Sequence, residues 1–242
     1  MAQPSNKKKD IINSSIYLRD AKDTNTISLI LFVDGANFLN TSKGSYWVMF
    51  SMIAELPPIV RNSCKNILHH FMIASSTPCF ETLLPKYMNQ LDKLLKNGIT
   101  IGLIGKVKVE IIAIIADGPG LAKICNVMQF NGSYGCFKCL HPGYSLGSGK
   151  LVYPNLTMIK RTNEIYQQQL KICEYENKTF QGVKGKTWLS NHIILPDMAI
   201  NDFMHMVLEG TLRQLVVFWT DKKYSNCNWF IGKCDALIIF LL

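Results

Sequence analysis

The chain has 242 residues, of which 48% are hydrophobic and 18% are charged. This length and composition can fill a hydrophobic core in one large domain or two small ones, which excludes a wholly disordered chain. The formal net charge of +9 favours a polyanionic partner, above all nucleic acid, although many basic proteins bind none.

The two ends of the chain carry little structural signal. The opening MAQPSNKKKD is polar and lacks a secretory signal, so the eight cysteines are expected to be reduced thiols or metal ligands. No apolar segment reaches the roughly 20 residues that a membrane-spanning helix needs, and we expect no membrane contact. The closing run 236–242 is apolar and ends without a cap, which indicates a truncated or frameshifted product.

The first half of the chain predicts strands and one clear helix. A buried strand is predicted over 27–33, closed by a turn at Asp34-Gly35. Residues 46–56 form a strand or a short helix, and residues 61–75 carry apolar side chains at helical spacing. Leucine and methionine at three- and four-residue steps predict a helix over 81–97, which Gly98 stops.

The second half begins with the strongest strand signal. Residues 107–116 predict a strand that ends at Asp117, and a short helix is expected over 121–129. Residues 131–150 and 181–190 are predicted loops. The remaining helices are predicted at 156–178 and, as a long amphipathic helix, at 202–221.

Two predicted strands each deliver an aspartate at their end, Asp34 and Asp117. Functional groups gather at strand ends in an α/β sheet, and two carboxylates brought together there need cations to neutralise them. Carboxylate oxygens suit Mg²⁺ or Mn²⁺. The alternative is a pair of ordinary turns, because Asp-Gly is a common turn dipeptide.

A Cys-x-x-Cys pair, Cys136 and Cys139, has the spacing of two ligands of a structural zinc ion. Zinc needs four ligands and no second Cys-x-x-Cys is present. The sequence leaves a reduced pair or a redox site as alternatives. The other candidate ligands are His141, His192, His205, Cys125 and Cys173.

The segment NDFMHMVLEG places Asp202, His205 and Glu209 at the start of the predicted long helix. Asp202 is a candidate N-cap, and His205 and Glu209 lie four residues apart on one helical face. A capped amphipathic helix with a paired histidine and glutamate explains the pattern without any chemistry. The HExxH zinc-protease motif is absent.

Taken in order, the segments of the chain resemble the CACTA (En/Spm-like) DNA transposases of the invertebrate type. The resemblance covers about residues 20–235. The matching segments are ISLILFVDGANFLNTSKGSYW, AELPPIVRN, ADGPGLAKICNVMQFNGSYGCFKCLHPG, GVKGKTWL and NDFMHMVLEGTLRQLVVFW. The family usually has Pro-Ala after its second aspartate, whereas this chain has Pro-Gly.

The resemblance implies an α/β fold of RNase H-like type, with a mixed sheet flanked by helices, a Cys-containing loop insertion and a C-terminal helical part. Its expected boundaries are a polar N-terminus at 1–20, a catalytic core at 21–130, an insertion at 131–200 and a C-terminal segment at 201–242. It also implies catalytic Mg²⁺ or Mn²⁺ on Asp34 and Asp117. Structural Zn²⁺ is expected on Cys136, Cys139 and His205.

The third catalytic acid of the resemblance is a glutamate on a helix beyond the Asp-x-x-His element. Glu209 is the available candidate, but it follows His205 by only four residues. We therefore expect the family's catalytic glutamate to lie beyond Leu242. The expected activity is phosphodiester hydrolysis and strand transfer at transposon ends, in the nucleus, by a dimer or higher oligomer.

Two other functions remain open from the sequence. A non-catalytic transposon relic that binds DNA or protein accounts for the missing acid. An unrelated metal-dependent nuclease accounts for the two aspartates, but not for the Cys-x-x-Cys pair or the Asp-x-x-His helix.

Overall fold

The computed structural model describes residues 10–15, 17, 25–37, 45–75, 78–147, 149, 151–154 and 157–232. The polar segment 1–9 and the apolar run 236–242 lie outside these residues. The chain divides into two compact units, Met1–Ile200 and Asn201–Leu242.

The strands are β1 (Thr26–Asn37), β2 (Ser45–Ile53), β3 (Leu68–Ala74), β4 (Ile99–Ile101), β5 (Gly105–Ala116), β6 (Tyr144–Ser145), β7 (Leu151–Val152) and β8 (Ala199–Asn201). The α-helices are α1 (Pro58–Arg61), α2 (Phe80–Tyr87), α3 (Asn89–Asn97), α4 (Gly118–Ile124), α5 (Asn163–Glu176) and α6 (Arg213–Thr220).

The main sheet has the order β3-β2-β1-β5-β4, and β8 also pairs with β5. β1 is antiparallel to β2 but parallel to β5, so the sheet is mixed. The chain from β3 to β5 passes through α2 and α3, which lets β5 run in the same direction as β1. The predicted mixed α/β sheet flanked by helices is confirmed.

Strand alternation divides the sheet into two faces. Leu29, Leu31 and Val33 of β1 are almost fully buried in the larger core, against the helices. Ile30 packs on the opposite face in a smaller cluster, with Phe32 partly buried beside it. Burying each large apolar side chain contributes about 1.5–3 kcal/mol, so β1 and its neighbours form the rigid centre of the first unit.

The predicted strand at 27–33 is longer than expected, and the predicted turn at Asp34-Gly35 is wrong. β1 continues through both residues, because Asp34 pairs with Val48 and Gly35 pairs with Trp47 on β2. The partner strand supplies hydrogen bonds that a local turn would otherwise have to satisfy. Asp34 therefore lies within a strand.

The helical interpretation of residues 61–75 is also wrong. Leu68–Ala74 forms β3, which pairs with β2 so that Phe71 lies opposite Met49. Phe71 is the one side chain of this strand that is fully buried. The segment is an outer strand with polar and half-exposed residues, so its sequence shows no clean alternation, and pairing with β2 decides its conformation.

The helices follow the predictions with shifted ends. The predicted helix over 81–97 is broken at Met88 into α2 and α3, and Gly98 ends α3 with a positive φ of 68°. Residues 46–56 are largely strand. The predicted helix over 121–129 instead begins at Gly118 and ends at Ile124, because Asp117 caps it. The polar helix predicted over 156–178 is α5.

The second unit replaces the predicted continuous helix over 202–221 with two segments. Met204–Leu212 has π-helical hydrogen bonding, and α6 follows directly. Gly210 makes this possible, because a Cβ atom there would lie 2.7 Å from the carbonyl oxygen of His205. Within this unit the predicted apolar face is largely exposed, including Met206 and Leu208. No helix among the described residues is long and apolar enough to cross a membrane.

Candidate metal site and cysteine pair

The two predicted aspartates occupy matching positions on neighbouring parallel strands. The last paired residues of β1 and β5 are Val33 and Ala116. Asp34 follows on β1, and Asp117 is the residue directly after the end of β5. Adjacent strands lie about 4.8 Å apart, so the backbones that carry the two carboxylates are close neighbours.

Alternation defines the face of the sheet on which Asp34 lies. Phe32 pairs with Ile115, and both contribute to the smaller cluster on the face opposite the helices. Asp34 stands two residues further along β1 than Phe32, and side chains two residues apart share a face, whereas Asp117 lies just past β5 as the N-cap of α4. The two carboxylates therefore stand at the same end of the sheet.

The two carboxylates differ in their hydrogen bonding. Asp117 is half-buried, and its Oδ1 accepts a hydrogen bond of 2.6 Å from the backbone N–H of Gly120, which caps α4. Asp34 is exposed and has no side-chain hydrogen bond or ion pair with the residues that the structure describes. One carboxylate is thus fixed in place and the other is open to solvent.

The pair offers hard oxygen ligands to a divalent cation, but it is incomplete as a protein site. Mg²⁺ is commonly held by one or two carboxylates together with water and substrate phosphate oxygens. Two aspartates satisfy this minimum. Within the described part of the chain, no group of three or more His, Cys, Asp or Glu residues is arranged to hold a metal ion.

A tryptophan and a lysine that the sequence analysis did not single out lie at the same end of the sheet. A Cβ atom on Gly35 would lie 2.8 Å from the ring of Trp47, so the indole lies directly on the residue after Asp34. The Nζ atom of Lys123 is 4.3 Å from the centre of that ring, within the range of a cation–π interaction. No periodicity predicts these contacts, because they join three separate elements.

The second predicted pair, Cys136 and Cys139, lies in the loop after α4. Their side chains are close enough for a thiol hydrogen bond, and they border a cavity of about 520 Å³. Burial, followed by this hydrogen bond, raises the pKa of Cys139, so Cys139 is a thiol at neutral pH without a metal. Cationic side chains also line the cavity, namely Lys138, Lys160 and Arg161.

The other candidate zinc ligands of the first unit have different surroundings. His141 is buried, its Nδ1 accepts a hydrogen bond of 2.9 Å from Gly143 N–H, and its Nε2 has no partner among the described residues. His192 pairs with Asp92 at 2.9 Å. Cys125 and Cys173 are buried thiols. The zinc site stays a prediction, with two thiols adjacent and a further ligand set unassigned.

In the second unit, His205 is paired locally. Its Nδ1 lies 2.5 Å from Oδ2 of Asp202, whose carboxylate also accepts from the N–H groups of Met204 and His205. Burial alone would raise the pKa of Asp202, but these hydrogen bonds hold it below its usual value. Asp202 therefore has the predicted capping role at the start of the helical segment Met204–Leu212. Glu209, within that segment, is exposed.

Cysteine labelling separates the exposed thiols from the buried ones. Cys79 is exposed, and hydrogen bonds from the hydroxyl and backbone N–H of Thr82 lower its pKa. Burial raises the pKa of Cys125 to about 12. Because the thiolate is the nucleophile, we expect maleimide to modify Cys79 at least about a thousandfold faster than Cys125 at neutral pH. Peptide mass spectrometry of the native protein measures both rates.

The exposed Cys64 controls for accessibility. Cys79→Ser should remove the fastest phase and leave the labelling of Cys64 unchanged. Unfolding in urea should bring Cys125 to the rate of the other cysteines. Equal labelling of Cys79 and Cys125 in the native protein would contradict the burial of Cys125 at the end of α4.

The structure thus places Asp34 and Asp117 directly after two paired residues of neighbouring strands, and it places Cys136 beside Cys139. The remaining predicted residues, His205 and Glu209, belong to the second unit. No model of a known protein family matches this chain, and no curated protein and no solved structure gives a significant match to it.

Proposed function

We propose that the chain is a transposase-related protein with an RNase H-like core, and that it hydrolyses DNA phosphodiester bonds with Mg²⁺ or Mn²⁺ held by Asp34 and Asp117. The reaction would start at transposon ends in the nucleus, and joining two ends calls for at least a dimer. A mixed sheet flanked by helices is what the RNase H-like interpretation requires. The five ordered sequence segments are the remaining support for the family.

The observation that carries this proposal is the register of β1 and β5. Val33 pairs with Ala116, and an aspartate follows each of these residues directly in the chain. Neither carboxylate is neutralised by a lysine or arginine among the described residues. Two uncompensated carboxylates on adjacent strands repel each other, and a bound divalent cation relieves that repulsion.

The protein groups have separate tasks in this chemistry. A bound divalent ion supplies an activated water molecule and stabilises the charge on the leaving oxygen. Asp117, fixed by Gly120 N–H, sets the position of the site, while the exposed Asp34 faces incoming substrate. In the hydrolysis, the water oxygen forms a bond to phosphorus, the bond from phosphorus to the 3′ oxygen breaks, and that oxygen takes a proton.

A non-catalytic DNA-binding relic is the second candidate. The absence of a third ligating side chain around Asp34 and Asp117, among the residues described, favours it. The net charge of +9 fits DNA binding in either case. The two functions differ in one property: only the first requires a divalent cation for a chemical change in DNA.

A nicking assay on supercoiled plasmid distinguishes the two. We expect the purified chain to convert supercoiled DNA to the open-circular form with Mn²⁺ or Mg²⁺ and not in EDTA. Mn²⁺ binding, followed by the loss of its free electron paramagnetic resonance signal, should accompany the activity. DNA binding without nicking in either metal would contradict the catalytic proposal and support the relic.

A further inference from the structure

Three exposed lysines lie on α4 and on a loop that is hydrogen-bonded to the residues just after α4, and we call them the lysine patch: Lys123, Lys184 and Lys186. Lys123 lies on α4, where its ammonium group covers the ring of Trp47. Lys184 and Lys186 flank Gly185 in the loop that follows α5. All three lysine side chains are exposed.

The loop that carries two of these lysines is held firmly against the end of α4. The N–H of Lys184 donates to the carbonyl of Asn126 at 3.0 Å. The buried hydroxyl of Thr187 donates to the carbonyl of Ile124 at 2.7 Å. These bonds attach the loop on both sides of Gly185. The lysines therefore project from fixed backbone, which lowers the entropy cost of binding a ligand.

The charge of the patch is not balanced within the described residues. None of the three lysines forms an ion pair there. A carboxylate near the loop, that of Glu81, accepts a hydrogen bond from the side chain of Asn126. A Cβ atom on Gly185 would be 3.9 Å from that carboxylate oxygen. Three lysines beside one carboxylate, which is already hydrogen-bonded to Asn126, leave the patch with a net positive charge.

The patch begins at the end of the sheet that carries the two aspartates. Trp47, on which Lys123 rests, pairs with Gly35, and Gly35 is the neighbour of Asp34. Alternation puts the indole, and Lys123 with it, on the face opposite to Asp34 at the same end of the sheet. α4 starts at Asp117, and its seven residues rise about 10 Å towards the loop.

We propose that the lysine patch binds the phosphate backbone of duplex DNA beside the aspartate pair. Duplex DNA carries one charge per about 1.7 Å of its axis, so a segment that reaches the aspartates also presents several phosphates along α4. Lysines on fixed backbone match phosphates without reading base sequence. This inference rests on DNA being the substrate, as in the proposed function.

DNA binding in EDTA tests the patch without any catalysis. The probe is a short duplex of random sequence, labelled for fluorescence anisotropy and titrated at several salt concentrations. A variant with Lys123→Gln, Lys184→Gln and Lys186→Gln is compared with the wild type. Each lost phosphate contact lowers the slope of log affinity against log salt by about 0.9, so we expect the slope to fall by about 2 to 3.

The matched control replaces three exposed lysines elsewhere: Lys65→Gln, Lys171→Gln and Lys178→Gln. Both variants lose the same net charge, and a slope that falls only in the patch variant supports the inference. Equal slopes in the two variants would contradict DNA binding by the lysine patch. The nicking activity of the proposed function would still be tested separately. Failure of the wild type to bind duplex DNA would also overturn it, and free phosphate that displaces the duplex at low millimolar levels would indicate a small-anion site instead.

Discussion

Replacing Asp34 with asparagine should reduce Mn²⁺-dependent nicking by at least about a hundredfold. Asparagine keeps the size of the side chain and its position on β1, but it removes the negative charge that holds the cation. Changing a residue that only supports a metal ligand typically lowers metal affinity or activity by 10–100-fold. Losing a ligand itself should therefore lower the activity further. The measurement is the initial rate of conversion of supercoiled plasmid at saturating Mn²⁺.

Asp117 needs a different choice of variant, because it has two roles. Its Oδ1 caps α4 through Gly120 N–H, so Asp117→Ala would remove a cap as well as a carboxylate. Losing a cap costs about 0.5–2 kcal/mol. Asparagine is also a good capping residue, so Asp117→Asn should keep the stability of the protein and lose the nicking activity.

The control for both variants is Glu174→Gln, which removes one negative charge from the exposed surface of α5. It should nick DNA at the rate of the wild type. Unchanged thermal unfolding of Asp34→Asn shows that the fold is intact. Nicking by Asp34→Asn at the wild-type rate would show that Asp34 is not a ligand of the catalytic metal. The activity would then come from a contaminating nuclease or from another site in the chain.

The sequence predicts the strand cores of this fold better than their ends. The apolar runs 27–33 and 107–116 are strands because their side chains are buried on both faces, which leaves a local signal. The adjacency of Asp34 and Asp117 follows once these strands are paired. Their pairing itself is a long-range contact that no local pattern encodes.

The wrong predictions concern segments whose conformation or burial the local sequence pattern does not decide. The strand β3 has one buried side chain, so its identity depends on β2 and not on its own periodicity. Gly35 follows an aspartate and resembles a turn residue, but its pairing with Trp47 on β2 makes it part of β1. In the second unit, the apolar pattern of Met204–Leu212 predicts a buried face that is exposed within that unit.

The contact between Gly35 and Trp47 allows a test of the packing at the end of the sheet that carries the aspartates. Gly35→Ala would place a Cβ atom 2.8 Å from the indole, so the ring or the strand has to move. A glycine inside a strand normally gains about 0.5–1 kcal/mol when changed to alanine. Here we expect the opposite sign, a loss of about 1–3 kcal/mol in the free energy of unfolding, measured with urea.

Gly118→Ala is the matched control, because it stands beside the other aspartate with its nearest foreign atom 4.0 Å from the added Cβ. Its effect should stay within about 0.5 kcal/mol. Trp47→Leu should remove most of the cost of Gly35→Ala in the double variant, since the clash needs the indole. The shift should also weaken nicking, because Asp34 is the preceding residue of β1. If Gly35→Ala stabilises the protein, the indole does not lie on this strand and the position assigned to Lys123 fails with it.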